Sequence, residues 1–221
     1  MEDLYFDCHI HSNHSHDSLM RPGRILKQAK KAGLTGVAIT DHDTIRGSLE
    51  ARKLEKEIGV TVIPGVEILT DSGDIIGLLV NEEIRSRRWD EVIDEIREQG
   101  GVSVLPHPYR SHPNVLELAK AVDLIEVWNA RSTVEQNERA LQLAGRLQKP
   151  GMYGSDAHTY AEIGNVSALV DPGTWEVKRV VRAGCSPRSA VIRSQVTHHL
   201  KRREFLQLIQ SGWRYLWKII D

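Results

Sequence analysis

Leu4-Tyr5-Phe6-Asp7-Cys8-His9-Ile10-His11 is the stretch whose reading decides the fold. It is a strand-like run that ends on two histidines two residues apart, so both rings project from one face of an extended segment. The same signature recurs down the chain. Gly36-Val37-Ala38-Ile39-Thr40 runs into Asp41-His42, Val66 into Glu67, and Asp74 opens another apolar run. Val102 to Leu105 leads to His107, and Gly151 to Gly154 leads to Asp156-Ala157-His158. Polar clusters at the ends of successive strands imply one site at the C-terminal rim of a barrel of parallel strands.

Between these runs lie helical patterns: Pro22 to Ala32, Ile45 to Ile58, Trp89 to Gln99, Val115 to Ala121 and Val134 to Leu147. Pro22 at the start and Gly33 past the end mark the first of them. Val60 to Ile63 and Val66 to Leu69 flank Pro64-Gly65, which is expected to break or bend that strand. Asp74 to Val80 and Leu124 to Trp128 complete about seven strands before Asp156. The alternation predicts βα units and a parallel sheet. The fold class is α/β: a closed or nearly closed barrel. Beyond His158 the chain reads as a strand (Val166 to Val170), a helix (Thr174 to Ala183) and a final helix from about Val196 to Ile219. Phe205, Ile209, Trp213, Leu216 and Ile220 recur there at three- and four-residue spacing. The expected organisation is a barrel domain over residues 1–195, with a basic amphipathic helix over 196–221 packed on it.

The gross numbers fit a soluble globular chain and exclude little else. Its 221 residues suit one domain, and 40% hydrophobic with 27% charged content is ordinary. A formal net charge of −1 gives the whole molecule no bias toward nucleic acid or membrane. The distribution is less even: Lys178 to Asp221 holds ten Lys/Arg against two Asp/Glu, a local net of +8. Such a tail either docks on its own acidic domain or contacts polyanions. Cys8 and Cys185 are two isolated cysteines, which fits a reducing cytosol rather than a disulfide framework. Cys8 alternates with the histidines and should point away from them. No signal-peptide pattern opens the chain, and no run reaches the ~18 apolar residues of a membrane span. The expected location is cytoplasmic.

The candidate residues combine imidazoles and carboxylates without thiolates, a set suited to Zn²⁺, Mn²⁺ or Fe²⁺ rather than Mg²⁺ or Ca²⁺. Glu67 stands ionisable in an apolar strand and needs a partner. His107 lies between two prolines that aim its ring. Asp41 and His42 are adjacent, so one ligates and the other orients a ligand. Two or three ions ~3.5–4 Å apart can clamp a phosphoryl group and make hydroxide from bound water near neutral pH. Arg110 and Arg131 are placed to fork a phosphate, with internal ion pairs as the alternative. Arg21 and His112 are weaker versions of the same idea. No Ser-His-Asp or Cys-His arrangement and no Gly-x-Ser-x-Gly elbow is present.

Asp7-Cys8-His9-Ile10-His11-Ser12, Ala38-Ile39-Thr40-Asp41-His42-Asp43-Thr44, Pro64-Gly65-Val66-Glu67-Ile68, Pro106-His107-Pro108 and Gly154-Ser155-Asp156-Ala157-His158 resemble the successive motifs of the PHP (polymerase and histidinol phosphatase) family. The resemblance runs over about residues 5–165. It implies a distorted seven-stranded (β/α) barrel with two to three divalent ions. By position, His9, His11, Glu67 and Asp156 would hold the first. Glu67, His107 and Asp74 would hold the second, where members of the family often have His instead of Asp74. His42, His158 and Asp17 would hold the third, with His16 and Asp41 as alternative ligands. Glu67, His107, Asp156 and His158 would be catalytic.

The implied activity is metal-dependent hydrolysis of a phosphoester by a metal-bound hydroxide. Glu67 and His107 lie only 40 residues apart, which leaves no room for an inserted cap. The expected substrate is a small phosphate ester or nucleotide. A nuclease acting on RNA or DNA ends is the alternative, and a non-catalytic binding module the third reading.

Overall fold

Most of the apolar runs fold as they read. The computed structural model describes residues 5–171 and 177–202. In chain order the strands are β1 (Tyr5–Ile10), β2 (Gly36–Ile39), β3 (Thr61–Thr70), β4 (Gly73–Leu78), β5 (Val102–Leu105), β6 (Leu124–Asn129), β7 (Gly151–Gly154), β8 (Val166–Val170) and β9 (Val177–Ala183). The helices are α1 (Pro22–Lys31), α2 (Arg46–Arg52), α3 (Glu55–Ile58), α4 (Trp89–Glu98), α5 (Pro108–Ser111), α6 (Val115–Ala121), α7 (Val134–Leu147) and α8 (Arg188–Arg202). The strands form one sheet in the order β7-β6-β5-β4-β3-β2-β1-β8-β9. The sheet curls until the segment after β7 meets β1: His11 N donates to Ala157 O at 2.9 Å, and Ala157 N donates to His9 O at 3.3 Å. That seam makes the barrel nearly closed.

The barrel interior is apolar. Phe6, Cys8, Ala38, Ile63, Ile76, Leu78, Val104, Leu124, Met152, Ala168 and Val170 form one cluster drawn from every strand between β1 and β8. Cys8 is buried in it as a free thiol, and burial, with Asp7 and Glu126 nearby, pushes its pKa up. Two further clusters pack helices on the outside. One sets Ile25, Leu26 and Ala29 of α1 against Ile39 and Val62; the other sets Val92, Ile93 and Ile96 of α4 against Ile68 and Ile75. The α7 helix starts on a capping box, Thr133 with Gln136, which satisfies two otherwise orphaned N–H groups.

Several expectations are corrected. The sheet is mixed, because β4 runs antiparallel to both β3 and β5. A tight turn through Asp71-Ser72 reverses the chain after β3, and hydrophobic periodicity is blind to strand direction. Pro64-Gly65 does not break β3. The strand changes neighbour there, pairing parallel to β2 up to Pro64 and antiparallel to β4 from Gly65. Proline costs no rung at that switch, and its carbonyl accepts from Leu79 N at 2.7 Å. The Ile45 to Ile58 pattern is two helices, α2 and α3. Val177 to Ala183 is a strand rather than a helix; its β-branched Val177, Val180 and Val181 suit β9, which pairs with β8. The last described helix begins at Arg188, behind Pro187, eight residues before the expected start at Val196. Its expected continuation to Ile219 lies outside the described residues. Among the described residues no helix is long and apolar enough to cross a membrane.

Candidate metal centre at the barrel rim

The end of β1 delivers His9 and His11 to the rim as the two-residue spacing requires, with their Nε2 atoms 3.0 Å apart. Both are fully buried. Glu67 of β3 faces them and is met by four imidazoles. Its Oε2 lies 3.4 Å from His9 Nε2, 3.3 Å from His11 Nε2 and 3.3 Å from His42 Nδ1, and its Oε1 lies 3.0 Å from His107 Nε2. Asp156 closes the ring with Oδ1 3.3 Å from His11 Nε2 and 3.6 Å from His9 Nε2. Asp17 Oδ2 sits 2.8 Å from His158 Nε2 and 3.3 Å from His42 Nε2.

Donor atoms therefore gather in overlapping sets, each within 4.8 Å: His11, Asp17, His42 and His158; His9, His11 and Glu67; His9, His107 and Asp156; and Asp74, His107 and His112. Asp74 reaches this rim because β4 is reversed, so that its first residues lie beside the last of β3, Asp74 opposite Leu69.

Backbone strain accompanies the site. His107 (φ 29°) and Asp156 (φ 53°) both hold left-handed conformations, which cost non-glycine residues energy and persist only where neighbours enforce them. Glu126 does so for His107, accepting from its N–H at 2.7 Å. The other oxygen of Glu126 lies 3.0 Å from His9 Nδ1, and Asn129 Nδ2 donates to the first at 3.0 Å. Glu126 was not singled out from the sequence. The signal was there, since Leu124-Ile125-Glu126-Val127 carries an ionisable residue in an apolar strand just as Val66-Glu67-Ile68 does.

Asp41 faces away from His42 and brackets the loop after β1. It accepts from Ser12 N at 2.5 Å, Ser12 Oγ at 2.6 Å and Ser15 Oγ at 2.8 Å, and Ser15 Oγ is 3.1 Å from His11 Nδ1. Its place is behind a ring, not among the converging donors. His16 likewise stands outside, stacked on His42 with ring centroids 4.6 Å apart. Lys201 of α8 reaches the same loop, its Nζ donating to the carbonyls of Asn13 (2.9 Å), Ser15 (2.6 Å) and Ser18 (2.7 Å). These use all three protons of the ammonium group.

The two arginines part company. Arg110 lies beside the cluster, its Nη2 2.8 Å from Asp156 Oδ2, with about a third of its side chain (32%) still exposed. Arg131 is corrected: its fork is filled from within by Glu162, at 2.9 Å from Nε and 3.1 Å from Nη2, while Nη1 donates to Ser194 of α8. Glu162, which also accepts from His158 N and Thr159 N, is the partner that the sequence left unassigned. Arg21 offers its backbone N–H to Tyr160 Oη. Beside His158, a cavity of about 540 Å³ opens between α8 and the rim, walled by Leu19, Met20, Tyr160, Arg193 and Thr197 among others.

The charges are mutually dependent. Burial opposes ionisation of Glu67, but His9 and His42 overcome it and hold the carboxyl well below its ordinary range. Asp156 is held low against burial by Arg110 and His9, and Asp17 by His158. Burial disfavours a charged His42, yet Glu67 and Asp17 raise it to about 10. Asp74 moves the other way, raised by burial and by the charge on Glu67. Burial lowers His158, with Asp17 opposing.

Known proteins share this frame. Residues 7–147 match the family described as PHP domain, and residues 134–183 match the one described as PHP-associated. Two uncharacterized proteins of Methanocaldococcus jannaschii are 50% identical over 114 residues (47% of this chain and 67% of theirs) and 37% identical over 171 residues (72% and 67%). A 5′-3′ exoribonuclease of Haemophilus influenzae is 41% identical over 66 residues, 30% of this chain and 24% of the enzyme. A phosphoribosyl 1,2-cyclic phosphate 1,2-diphosphodiesterase of Eggerthella lenta is 39% identical over 62 residues, 28% and 23% of the respective chains. The crystal structure of a two-domain Bacteroides vulgatus protein containing a predicted PHP-like metal-dependent phosphoesterase superposes with a TM-score of 0.67 at 18% identity, covering 79% of this chain and 61% of that one. With the motif-bearing core matched from Asp7 through α7 and the barrel carrying His9, His11, Glu67 and His107 on one rim, this chain belongs to the PHP domain family.

Proposed function

We propose that the protein is a metal-dependent phosphoesterase acting on a small phosphate ester or nucleotide. The carrying observation is Glu67, one buried carboxylate against four imidazoles at a rim that Asp156 and Asp17 also face. The donor set fits divalent Zn, Mn or Fe. Orphaned polar atoms point the same way: Asp17 Oδ1 and His107 Nδ1 are buried without a hydrogen-bond partner, which costs about 1–3 kcal/mol each unless a ligand meets them.

On this reading His9, His11, Glu67 and Asp156 hold a first ion, Glu67, His107 and Asp74 a second, and His42, His158 and Asp17 a third. Bound there, such ions supply Lewis acidity and lower the pKa of water. The remaining work falls to the chain. Glu126 fixes the orientation of His9, Asp41 and Ser15 fix His11, and the partly exposed guanidinium of Arg110, paired with Asp156 and Asn129, places positive charge beside the phosphoryl group. The cavity beside His158 suits the organic part of the ester, and Arg193 on its wall suits a second anionic group. Nuclease action on RNA ends is the second reading, favoured by the exoribonuclease among the relatives.

The test is phosphate release from p-nitrophenyl phosphate, its bis-ester, mononucleotides, nucleoside bisphosphates and a labelled short RNA, before and after chelation with Mn²⁺ or Zn²⁺ restored. Turnover that disappears with chelator and in His9→Ala supports the proposal. Stepwise shortening of the RNA in preference to the small esters moves it to the nuclease. Stoichiometric metal with no turnover on any substrate sinks it.

A further inference from the structure

His112 follows α5 and turns its ring toward the start of β4. Its Nε2 lies 2.9 Å from the carbonyl oxygen of Asp74. A carbonyl only accepts, so Nε2 carries the proton and donates, and the tautomer is fixed. Nδ1 is left with a bare lone pair, and it is buried with no hydrogen-bond partner. A ring held through one nitrogen by a backbone carbonyl, with the other nitrogen bare, is the usual state of an imidazole that ligates a metal.

Three neighbouring features surround this ring. Donor atoms of Asp74, His107 and His112 all lie within 4.8 Å of one another. His107 Nδ1 is a second buried ring nitrogen without a partner, and the two rings are 5.6 Å apart at 45°. Gly73, at φ 109°, leaves the space that the His112 ring occupies; a Cβ there would collide with Cδ2 of that ring. The packing thus accommodates the imidazole at a cost in backbone freedom, with no hydrogen bond to Nδ1 in return.

We propose that His112 Nδ1 is a metal ligand, joining Glu67, Asp74 and His107 around the ion at the β4 edge of the rim. This deepens the reading of the rim as a metal centre and rests on it. Two neutral imidazoles and one carboxylate, with the Glu67 carboxylate 3.0 Å from His107, offset a divalent charge. The set suits Zn²⁺, Mn²⁺ or Fe²⁺, and an oxygen-seeking ion such as Mg²⁺ is the poorer fit.

The experiment is metal counting, which needs no turnover. Wild type, His112→Ala, His112→Gln, Asp74→Asn and His14→Ala are stripped with chelator and reloaded with Zn²⁺. They are desalted and measured by inductively coupled plasma mass spectrometry, with Co²⁺ absorption spectra in parallel. His14, paired with Glu50 at the surface, is the control. The expected result is the loss of one metal equivalent in both His112 variants and in Asp74→Asn, the control keeping the full count. Thermal melts of the stripped proteins establish folding; if His112→Ala fails to fold, His112→Gln carries the result. Full occupancy and unchanged affinity in a folded His112 variant would overturn the assignment. Loss of an equivalent in a protein without phosphoesterase turnover would uphold His112 as a ligand while the activity reading fails. Turnover with an unaltered count would do the reverse.

Discussion

Replacing Glu126 by Gln tests the site without touching a converging donor. Three donors point at this buried carboxylate: the His107 N–H at 2.7 Å, Asn129 Nδ2 at 3.0 Å and His9 Nδ1 at 3.0 Å. A carboxylate accepts from all three. A glutamine has one acceptor oxygen and one amide group that only donates. With the oxygen kept toward His107 and Asn129, the new NH₂ faces His9 Nδ1. Either two donors then collide, or His9 changes tautomer and turns a protonated Nε2 toward Glu67 and His11, where it cannot ligate. The first outcome costs about 1–3 kcal/mol as an unsatisfied buried donor. The second costs about 10–100-fold in metal affinity, as is usual when an orienting partner is lost. Urea denaturation of chelator-treated protein reads the first, and Zn²⁺ titration against a competing chromophore reads the second. A Glu126→Gln protein with both the wild-type midpoint and the wild-type affinity refutes the reasoning.

Arg131→Met leaves the 0%-exposed Glu162 carboxylate without its cation. Breaking such a pair costs about 3–5 kcal/mol, so the urea midpoint falls sharply, whereas a raised KM at unchanged stability would restore Arg131 as a phosphate ligand. Gly47→Ala drives a Cβ into Asp41 Oδ2 and Ser12 Oγ. Overpacking of this kind costs about 1–3 kcal/mol, and metal affinity falls with it because the collision falls on the bracket behind His11; an unaltered melt and affinity would show that the bracket yields freely. In metal-free protein His42, raised to about 10 from an ordinary 6.5, stabilises the fold fully below pH 6.5. That contribution is lost as pH rises through 10, because the unfolded chain gives up its proton first. Stability of the chelated protein therefore declines from pH 6.5 to 10, and His42→Ala flattens that limb; a level wild-type limb contradicts the ion-pair geometry.

What the sequence revealed depended on whether a residue's meaning was local. His9 and His11 could be placed together because an extended segment repeats every two residues, and Glu67 stood out as a charge in an apolar run. Asp41 and His42 could be split between two roles because neighbours on a strand point oppositely. The reversal of β4 could not be read this way, since an apolar run has the same pattern in either direction. The helix expected over Thr174 to Ala183 is, in its described part from Val177, a strand, because its valines find a partner in β8 that local pattern does not reveal. Arg131 was ambiguous because its partner, Glu162, lies 31 residues away and only packing brings them together. Glu126 is the plain omission, legible by the argument applied to Glu67.

The grip of Lys201 on the loop that carries Asp17 spans 186 residues from Ser15, and the Asp17–His158 contact spans 141. The part of the site that joins Asp17 to His158 has high contact order, and chain closure over those lengths must be met before that donor set exists. During synthesis His9, His11 and Asp17 leave the ribosome early and wait for Asp156, His158 and Lys201. The set of His11, Asp17, His42 and His158 thus stays incomplete until almost the whole barrel has been made. On the proposed reading, capture of an ion by that set would be a late event in maturation, set by what the folding compartment offers when the seam between Ile10 and Ala157 closes.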